Sequence, residues 1–276
     1  MTSDRPAYLR VFATFARNSL VRDMTFRANF LIDAVSSLAW MLMNLGFYEL
    51  IFMNTAQIGA QSGWHKYEFF VFLATTLFIN SIVQAFFMPN CSELSELIRT
   101  GNLDFALLKP IDAQFLVSLQ KIEWSSLSNF CFAAGLLGYS LARLEHAPGP
   151  AQCLLYPLYI ICGVAMLYSL MITLSSVSIW LGRNQSLYDF WFYITNFSRY
   201  PMEIYQGRYG TPLRWAFTFV VPVLIVVNVP ARLLAKPLTS KEWPLAVFAV
   251  FATVASLAVS RWVFQRALAS YRSASS

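Results

Sequence analysis

Five long apolar runs divide the chain, and each is long enough to cross a lipid bilayer as a helix. Separated by short polar connections, they cover residues 29–53, 69–88, 115–141, 151–181 and 243–264. A helix needs about 20 mostly apolar residues to span the hydrocarbon core of a membrane. The pattern therefore predicts an all-α polytopic membrane protein, folded as a single transmembrane domain.

The region between residues 186 and 235 is less regular. A short aromatic run leads into a polar stretch with four charged residues, Arg199, Glu203, Arg208 and Arg214. The next apolar run, over 215–229, is interrupted by Pro222 and closed by Pro230. Proline kinks a helix, and in lipid the carbonyl that it frees must find a partner within protein or water. We predict one full crossing here plus a broken, re-entrant helical element within residues 199–235, which gives six spans. The pattern leaves open which piece crosses.

Basic residues near the ends of the spans indicate orientation, because cytoplasmic flanks are enriched in lysine and arginine. Arginines flank the first and last runs: Arg5, Arg10, Arg17, Arg22, Arg27, Arg261, Arg266 and Arg272. The connection 54–66 carries a single lysine and is predicted to lie outside. Both termini are thus predicted to be cytoplasmic, which requires an even number of crossings. The basic stretch 199–214 fits this topology least well, since much of it lies outside.

Residues 1–27 are predicted to form an interfacial helix before the first span. Tyr8, Val11, Phe12 and Phe15 fall on one helical face, while arginines occupy another. A helix of this kind lies in the headgroup layer, with its apolar side toward the acyl chains and its arginines near anionic lipid. The alternative is a basic tail that is continuous with the first span.

Composition supports a membrane protein and argues against several other classes. Charged residues make up 12% of the chain and hydrophobic residues 57%, against about 25% and 45–50% in average soluble domains. The formal net charge of +6 comes from residues at the ends of apolar runs, which suits anionic lipid rather than nucleic acid. The sequence has no G-x-x-x-x-G-K-[ST] phosphate-binding loop, and its two histidines, His65 and His146, lie in predicted loops. We expect no catalytic residue, no metal site and no cofactor bound by this chain.

The connection 91–112 is the longest predicted cytoplasmic loop and the one with the most local structure. Ser92 is placed to cap a helix, Glu93 suits its positive end, and Gly101 is placed to stop it. Its apolar face consists of Leu94, Leu97 and Ile98. Residues 102–104 turn into a second short element. Such a loop is typical of a docking surface for a cytoplasmic partner, and a helix that lies on the membrane without a partner fits the pattern equally well.

Two segments resemble a known family of membrane transporters. The run IRTGNLDFALLKP, at 98–110, is similar to the G-x-L-D-x-x-L-L-K-P segment of the type-2 ABC exporter permeases. The run FSRYP at 197–201, followed by Tyr205, Pro222 and PAR at 230–232, resembles the viologen-exporter-like branch of that family. Together with the order of the spans, the resemblance extends over essentially the whole chain.

The resemblance implies a half-transporter in a bacterial inner membrane. Permeases of this family have six spans, an interfacial N-terminal helix, and a coupling helix that docks on a separate cytoplasmic ATPase subunit, which binds ATP and Mg. On this chain the coupling role falls on seven residues: Glu93, Leu94, Leu97, Ile98, Gly101, Leu103 and Asp104. The re-entrant element falls at 215–229. A second permease, either an identical copy or a related chain, completes the transporter. The missing phosphate-binding loop agrees with a borrowed ATPase.

Three amide side chains are candidates for a substrate pathway. Asn44, Asn80 and Gln84 lie inside the first and second runs, on helices that we predict to face the partner permease. Because 16% of the residues are aromatic, we expect a hydrophobic or amphipathic substrate that enters laterally from the membrane. The alternative is that these amides bond to neighbouring helices.

Two other functions stay open from the sequence. An ion-coupled secondary transporter usually carries charged residues at mid-membrane depth. The candidates for such a role lie toward span ends: Asp33, Glu49, Lys121 and Glu123. A membrane scaffold without transport activity is the other alternative.

Overall fold

The structure is a computed structural model that describes residues 7–59, 62–181, 185–237 and 243–271. Arg5 and Arg272, which contribute to the predicted orientation, lie outside the described residues. Within these ranges the chain forms twelve α-helices and no strand, which confirms the predicted all-α fold. The helices are α1 Tyr8–Thr25, α2 Arg27–Asn54, α3 Lys66–Phe86, α4 Met88–Arg99, α5 Leu103–Leu107, α6 Ala113–Leu119, α7 Leu127–Leu141, α8 Pro150–Leu181, α9 Gln185–Asn196, α10 Gly207–Trp215, α11 Val223–Ala235 and α12 Trp243–Ser270.

Four helices are long and apolar enough to cross a membrane, namely α2, α3, α8 and α12. They coincide with four of the five predicted runs. α3 and α8 are central, with α7 and α11 packed against α3, and α11 and α12 packed against α8. In contrast, only 6% of the most apolar stretch of α2 is buried. α2 is therefore a peripheral helix that leaves most of its apolar surface uncovered by the rest of the chain.

The predicted third span, over 115–141, is not one unbroken helix. α6 ends at Leu119, a non-helical segment follows, and a short 3₁₀ turn at Trp124–Ser126 leads into α7. With 15 residues, α7 extends over roughly 22 Å, less than the hydrocarbon core of about 30 Å. The prediction of a continuous helix was wrong because charged Lys121 and Glu123 sit at the break, where other elements supply the backbone hydrogen bonds. The total of six spans stays a prediction.

The predicted broken element is present close to where the prolines place it. α10 continues through a π-helical turn at Ala216–Val220, and after Pro222 the chain turns by 89° into α11. α11 has 13 residues, and almost all of them are buried. Because roughly 20 Å of helix cannot span the hydrocarbon core, this geometry suits an element that enters the bundle and does not cross it.

Polar contacts define two opposite ends of the bundle. At one end, here called the Trp64 end, the Trp64 indole Nε1 donates to the Glu203 carboxylate over 2.9 Å, and that carboxylate also pairs with Arg232. At the other, the α4 end, Arg261 near the end of α12 pairs with Asp112 at the start of α6. α1 also lies at the α4 end, so the two ends of the described chain lie at the same end of the bundle, as an even number of crossings requires.

The N-terminal helix forms as predicted but faces the protein. A single residue, Phe26, separates α1 from α2. The two are therefore separate helices, and the N-terminal segment is not a tail that continues into the first span. The ring of Tyr8 lies 5.0 Å from that of Phe115, and the ring of Phe12 lies 6.2 Å from that of Phe86. The expectation that this face rests in lipid is therefore corrected: it packs on the bundle. The exposed side of α1 carries other apolar residues, including Leu9.

Candidate coupling loop and polar cavity

The connection 91–112 contains the two short helices that the sequence suggests. α4 begins at Met88, with Pro89 in its first turn, four residues before the predicted cap. Ser92 therefore does not cap the helix; its hydroxyl donates to the Met88 carbonyl over 2.9 Å. Gly101 stops the helix as predicted, since its φ of 73° is favourable only for glycine.

The apolar face of α4 is turned toward the bundle and not toward solvent. Leu94 and Leu103 are fully buried, and Leu97 and Ile98 are half-buried against the same core. Glu93 pairs with Lys121 over 2.6 Å. The expectation of an exposed face at these positions is thus corrected, because α8 covers it.

The apolar residues that the loop does expose lie on α5. Phe105 is 69% exposed and Leu108 is 80% exposed, with partly exposed Leu107 between them. We call these three residues the α5 tip. Burial, together with the nearby carboxylate of Asp104 beside the tip, raises the pKa of Tyr271. The sequence signal for the tip was the FALL run itself, which holds more apolar side chains than a one-turn helix can bury.

The start of α6 is fixed by a charged contact to the end of α12. Asp112 accepts a hydrogen bond from the Phe115 backbone N–H over 3.0 Å and caps α6. Arg261 donates to Asp112 over 3.0 Å and to the Gln114 side chain over 2.9 Å. The Arg261 guanidinium holds the pKa of the Asp112 carboxyl below its usual value. The base of the loop is therefore tied to the last helix.

The base of α4 makes a second set of contacts, to the break in the third span. The Asn90 side-chain amide donates to the Lys121 carbonyl over 2.7 Å, and its oxygen accepts from the Lys121 backbone N–H over 2.8 Å. The Ile122 N–H donates to the Ser19 hydroxyl of α1 over 3.0 Å. The break is thus held by both α4 and α1.

All three predicted pathway residues line one cavity. This polar cavity, of about 280 Å³, lies between α2, α3, α7 and the segment that follows α9. Asn44, Asn80 and Gln84 contribute to its wall, and Asn129 of α7 and Arg199 join them. The sequence offers only a weak signal for the last two, since Asn129 is one of several polar residues in the run 115–141 and Arg199 begins the polar stretch after the short aromatic run.

The amides of this cavity are not satisfied by neighbouring helices. Among the described residues, the Asn44 amide donates only to the Trp40 carbonyl of its own helix, over 2.8 Å. In the described part of the chain, the side chains of Asn80, Gln84 and Asn129 have no hydrogen-bond partner, although Asn129 is only 8% exposed. The alternative that these amides bond to other helices does not hold among the described residues.

The charged residues near span ends lie where the sequence places them. Asp33, Lys121 and Glu123 line a cleft of about 560 Å³ at the α4 end, together with Glu93 and Arg22. Glu49 pairs with Lys66 near the Trp64 end. This distribution differs from the mid-membrane charges of an ion-coupled carrier.

Comparison with known proteins agrees with this architecture. The family model described as "ABC-2 family transporter protein" matches residues 38–275, which is most of the chain. Searches of curated proteins and of solved structures gave no match. The family comprises multi-pass membrane proteins, in accord with the apolar helices α2, α3, α8 and α12. The chain therefore belongs to the ABC-2 transporter family, as a permease subunit of an ABC transporter.

Proposed function

We propose that this permease forms the membrane half of an ATP-driven exporter of a hydrophobic or amphipathic substrate. A separate cytoplasmic ATPase subunit binds and hydrolyses ATP with Mg, and this chain binds neither. The α4 end faces the cytoplasm of a bacterial cell, so both termini lie there, and the Trp64 end faces outward. A second permease, identical or related, completes the complex.

The observation that carries the proposal is the exposed α5 tip. Phe105 and Leu108 project from a loop in which Leu94 and Leu103 are fully buried and Leu97 and Ile98 are half-buried. Adjacent exposed apolar side chains on an otherwise tied loop mark a protein-docking surface. Burying two such side chains contributes roughly 1.5–3 kcal/mol each, so the tip supplies part of the affinity for a docked subunit and further contacts supply the rest.

The polar cavity supplies a path for the substrate. Its amide groups bind the polar part of an amphipathic molecule, while the uncovered apolar surface of α2 receives the apolar part directly from the bilayer. Trp40 lies in the cavity wall and is 62% exposed, so it lies on the boundary between the two.

The docking surface is tested by co-purifying the tagged permease with a candidate ABC ATPase subunit from the same organism. We expect the double change Phe105→Asp and Leu108→Asp to reduce the recovered ATPase by about tenfold or more, since 1.4 kcal/mol corresponds to a tenfold change. The matched control is Tyr209→Asp with Leu213→Asp, which puts the same charges on exposed apolar residues of α10 at the Trp64 end.

Two results contradict the proposal. Equal ATPase recovery with the α5-tip variant and the wild type would show that the tip is not the docking surface. Ion-driven transport by the permease alone in vesicles, without ATP, would show that the chain is a carrier and not an exporter subunit. Changes at buried Leu94 are unsuitable for this test, because they report on folding.

A further inference from the structure

The α3–α4 junction and the break in the third span complete each other's backbone hydrogen bonds. Pro89 has no N–H, so the Ala85 carbonyl, four residues earlier, loses its helical partner. The Glu123 backbone N–H donates to that carbonyl over 2.9 Å. Glu123 lies in the break before α7, where the backbone has no helical partner of its own. Because buried backbone groups are costly when unpaired, each irregular segment stabilises the other.

Asn90 adds a two-point contact at the same place. Its amide pairs with both the N–H and the carbonyl of Lys121, as a neighbouring strand would, and also donates to the Phe86 carbonyl over 2.8 Å. Asn90 is only 3% exposed. Two simultaneous bonds to one residue fix the orientation of the amide as well as its distance. The backbone of Lys121 is thus held to the first turn of α4.

Glu93, one turn further along α4, makes a parallel contact. It pairs with the Lys121 ammonium over 2.6 Å. Residues three positions apart share one face of a helix, so Asn90 and Glu93 hold the same residue from the same side. Movement of α4 must either carry Lys121 with it or break these contacts together.

The contacts between α4 and the break before α7 link the two sites of the proposed function. α4 leads directly to the α5 tip, and the break leads directly into α7, whose Asn129 and Phe132 line the polar cavity. We propose that Asn90 is a positioning residue that transmits displacement of the docked loop to the α7 wall of the cavity. The inference rests on the proposed function, and it assigns a role to a residue that touches neither the ATPase nor the substrate.

The experiment measures how accessible one residue of the cavity wall is to a labelling reagent, so it needs no identified substrate. The four native cysteines are replaced, and Phe132→Cys provides a reporter that a maleimide reagent labels in the complex with the ATPase. In the complex with native Asn90, trapping with ATP and vanadate should change the labelling rate by about fivefold or more, the lower end of typical coupling between two sites. In Asn90→Leu the change should be lost, while ATPase recovery and ATP hydrolysis are retained.

The control is Asn102→Leu, which makes the same chemical change in the same loop. Among the described residues, the Asn102 side chain bonds only to Thr100, two residues earlier, over 2.9 Å, and Asn102→Leu should leave the response intact. If Asn90→Leu does not fold, the labelling response is measured in Asn90→Asp. This variant keeps the side-chain oxygen that accepts from the Lys121 N–H and loses the amide that donates to the Lys121 carbonyl.

Three results would overturn the inference. A full labelling response in the Asn90 variant would show that the displacement travels by another route. Loss of ATPase recovery in that variant would show that Asn90 only shapes the docking surface. If the labelling rate does not change with native Asn90, or if no ATPase is recovered in the complex, the proposed function is contradicted and this inference with it.

Discussion

The placement of the re-entrant element depends on a close contact at Gly163 of α8. A Cβ atom added there would lie 2.8 Å from the Val226 carbonyl oxygen and 2.9 Å from the terminal methyl of Ile79. Val226 is four residues before Pro230, which has no N–H to donate to that carbonyl. The glycine backbone therefore packs directly on a carbonyl that lacks its usual helical partner, and small residues permit such close packing between membrane helices.

We predict that Gly163→Ala destabilises the protein although alanine is the better helix former. Moving from 2.8 Å to an ordinary contact requires α8 and α11 to separate by several tenths of an ångström, and such overpacking costs about 1–3 kcal/mol. The higher helix propensity of alanine offsets at most about 1 kcal/mol. Gly138→Ala in α7 gains the same propensity without the clash, because nothing lies within 4 Å of its added methyl group.

The two variants are compared by thermal unfolding in one detergent, followed by tryptophan fluorescence. A difference of about 2 kcal/mol between them corresponds to roughly 4–8 °C in melting temperature for a chain of this size. Gly163→Ala should melt below the wild type and Gly138→Ala at or above it. Equal melting temperatures for the two variants would refute the close approach of α8 and α11, and with it the described packing of the re-entrant element.

Two further predictions concern the ends of the bundle. Glu203→Gln should lower the melting temperature, because it removes a charged partner of Arg232 worth about 1–3 kcal/mol, whereas Glu145→Gln on an exposed loop should not. At the α4 end, Arg261 lowers the pKa of Asp112 in the folded state, so the stability from this pair is complete above the unfolded pKa of about 3.9 and is lost as the pH falls further. Melting temperatures recorded across acidic pH should therefore show a steeper fall for the wild type than for Asp112→Asn. An unchanged acid profile in that variant would contradict the assignment.

Length and proline placement made much of the fold predictable. Uninterrupted apolar runs predicted α2, α3, α8 and α12, because the membrane requires a minimum helix length that few other structures demand. Pro222 predicted the bend before α11 for a similarly local reason. The break before α7 was missed because the apolar content of 115–141 conceals two charged residues. Its causes are contacts from Asn90 and Ser19, far away in the sequence, which no local pattern reveals.

Helical periodicity identified apolar faces correctly but not what covers them. On α4 the face containing Leu94 packs on α8, and on α1 the face containing Phe12 packs on α3. Both were expected to meet a partner or lipid. A 3.6-residue repeat reports only that one side of a helix is apolar, and protein, lipid and a docking subunit satisfy it equally. Asn44, Asn80 and Gln84 could be singled out from the sequence, since polar groups within apolar spans have few uses other than packing and binding, and their role in a substrate pathway stays a prediction.

The burial of α4 changes how the docking loop works. If the apolar face of α4 were exposed, an ATPase could bind it while the rest of the loop moved independently of the bundle. Instead α4 is packed on α8 and tied to Lys121, and among the described residues of the loop the large exposed apolar side chains are those of the α5 tip. A subunit that binds the α5 tip therefore acts on an element that is already part of the bundle core. Because packed cores shift between discrete arrangements and do not deform gradually, we expect a small displacement at the tip to be transmitted and not absorbed.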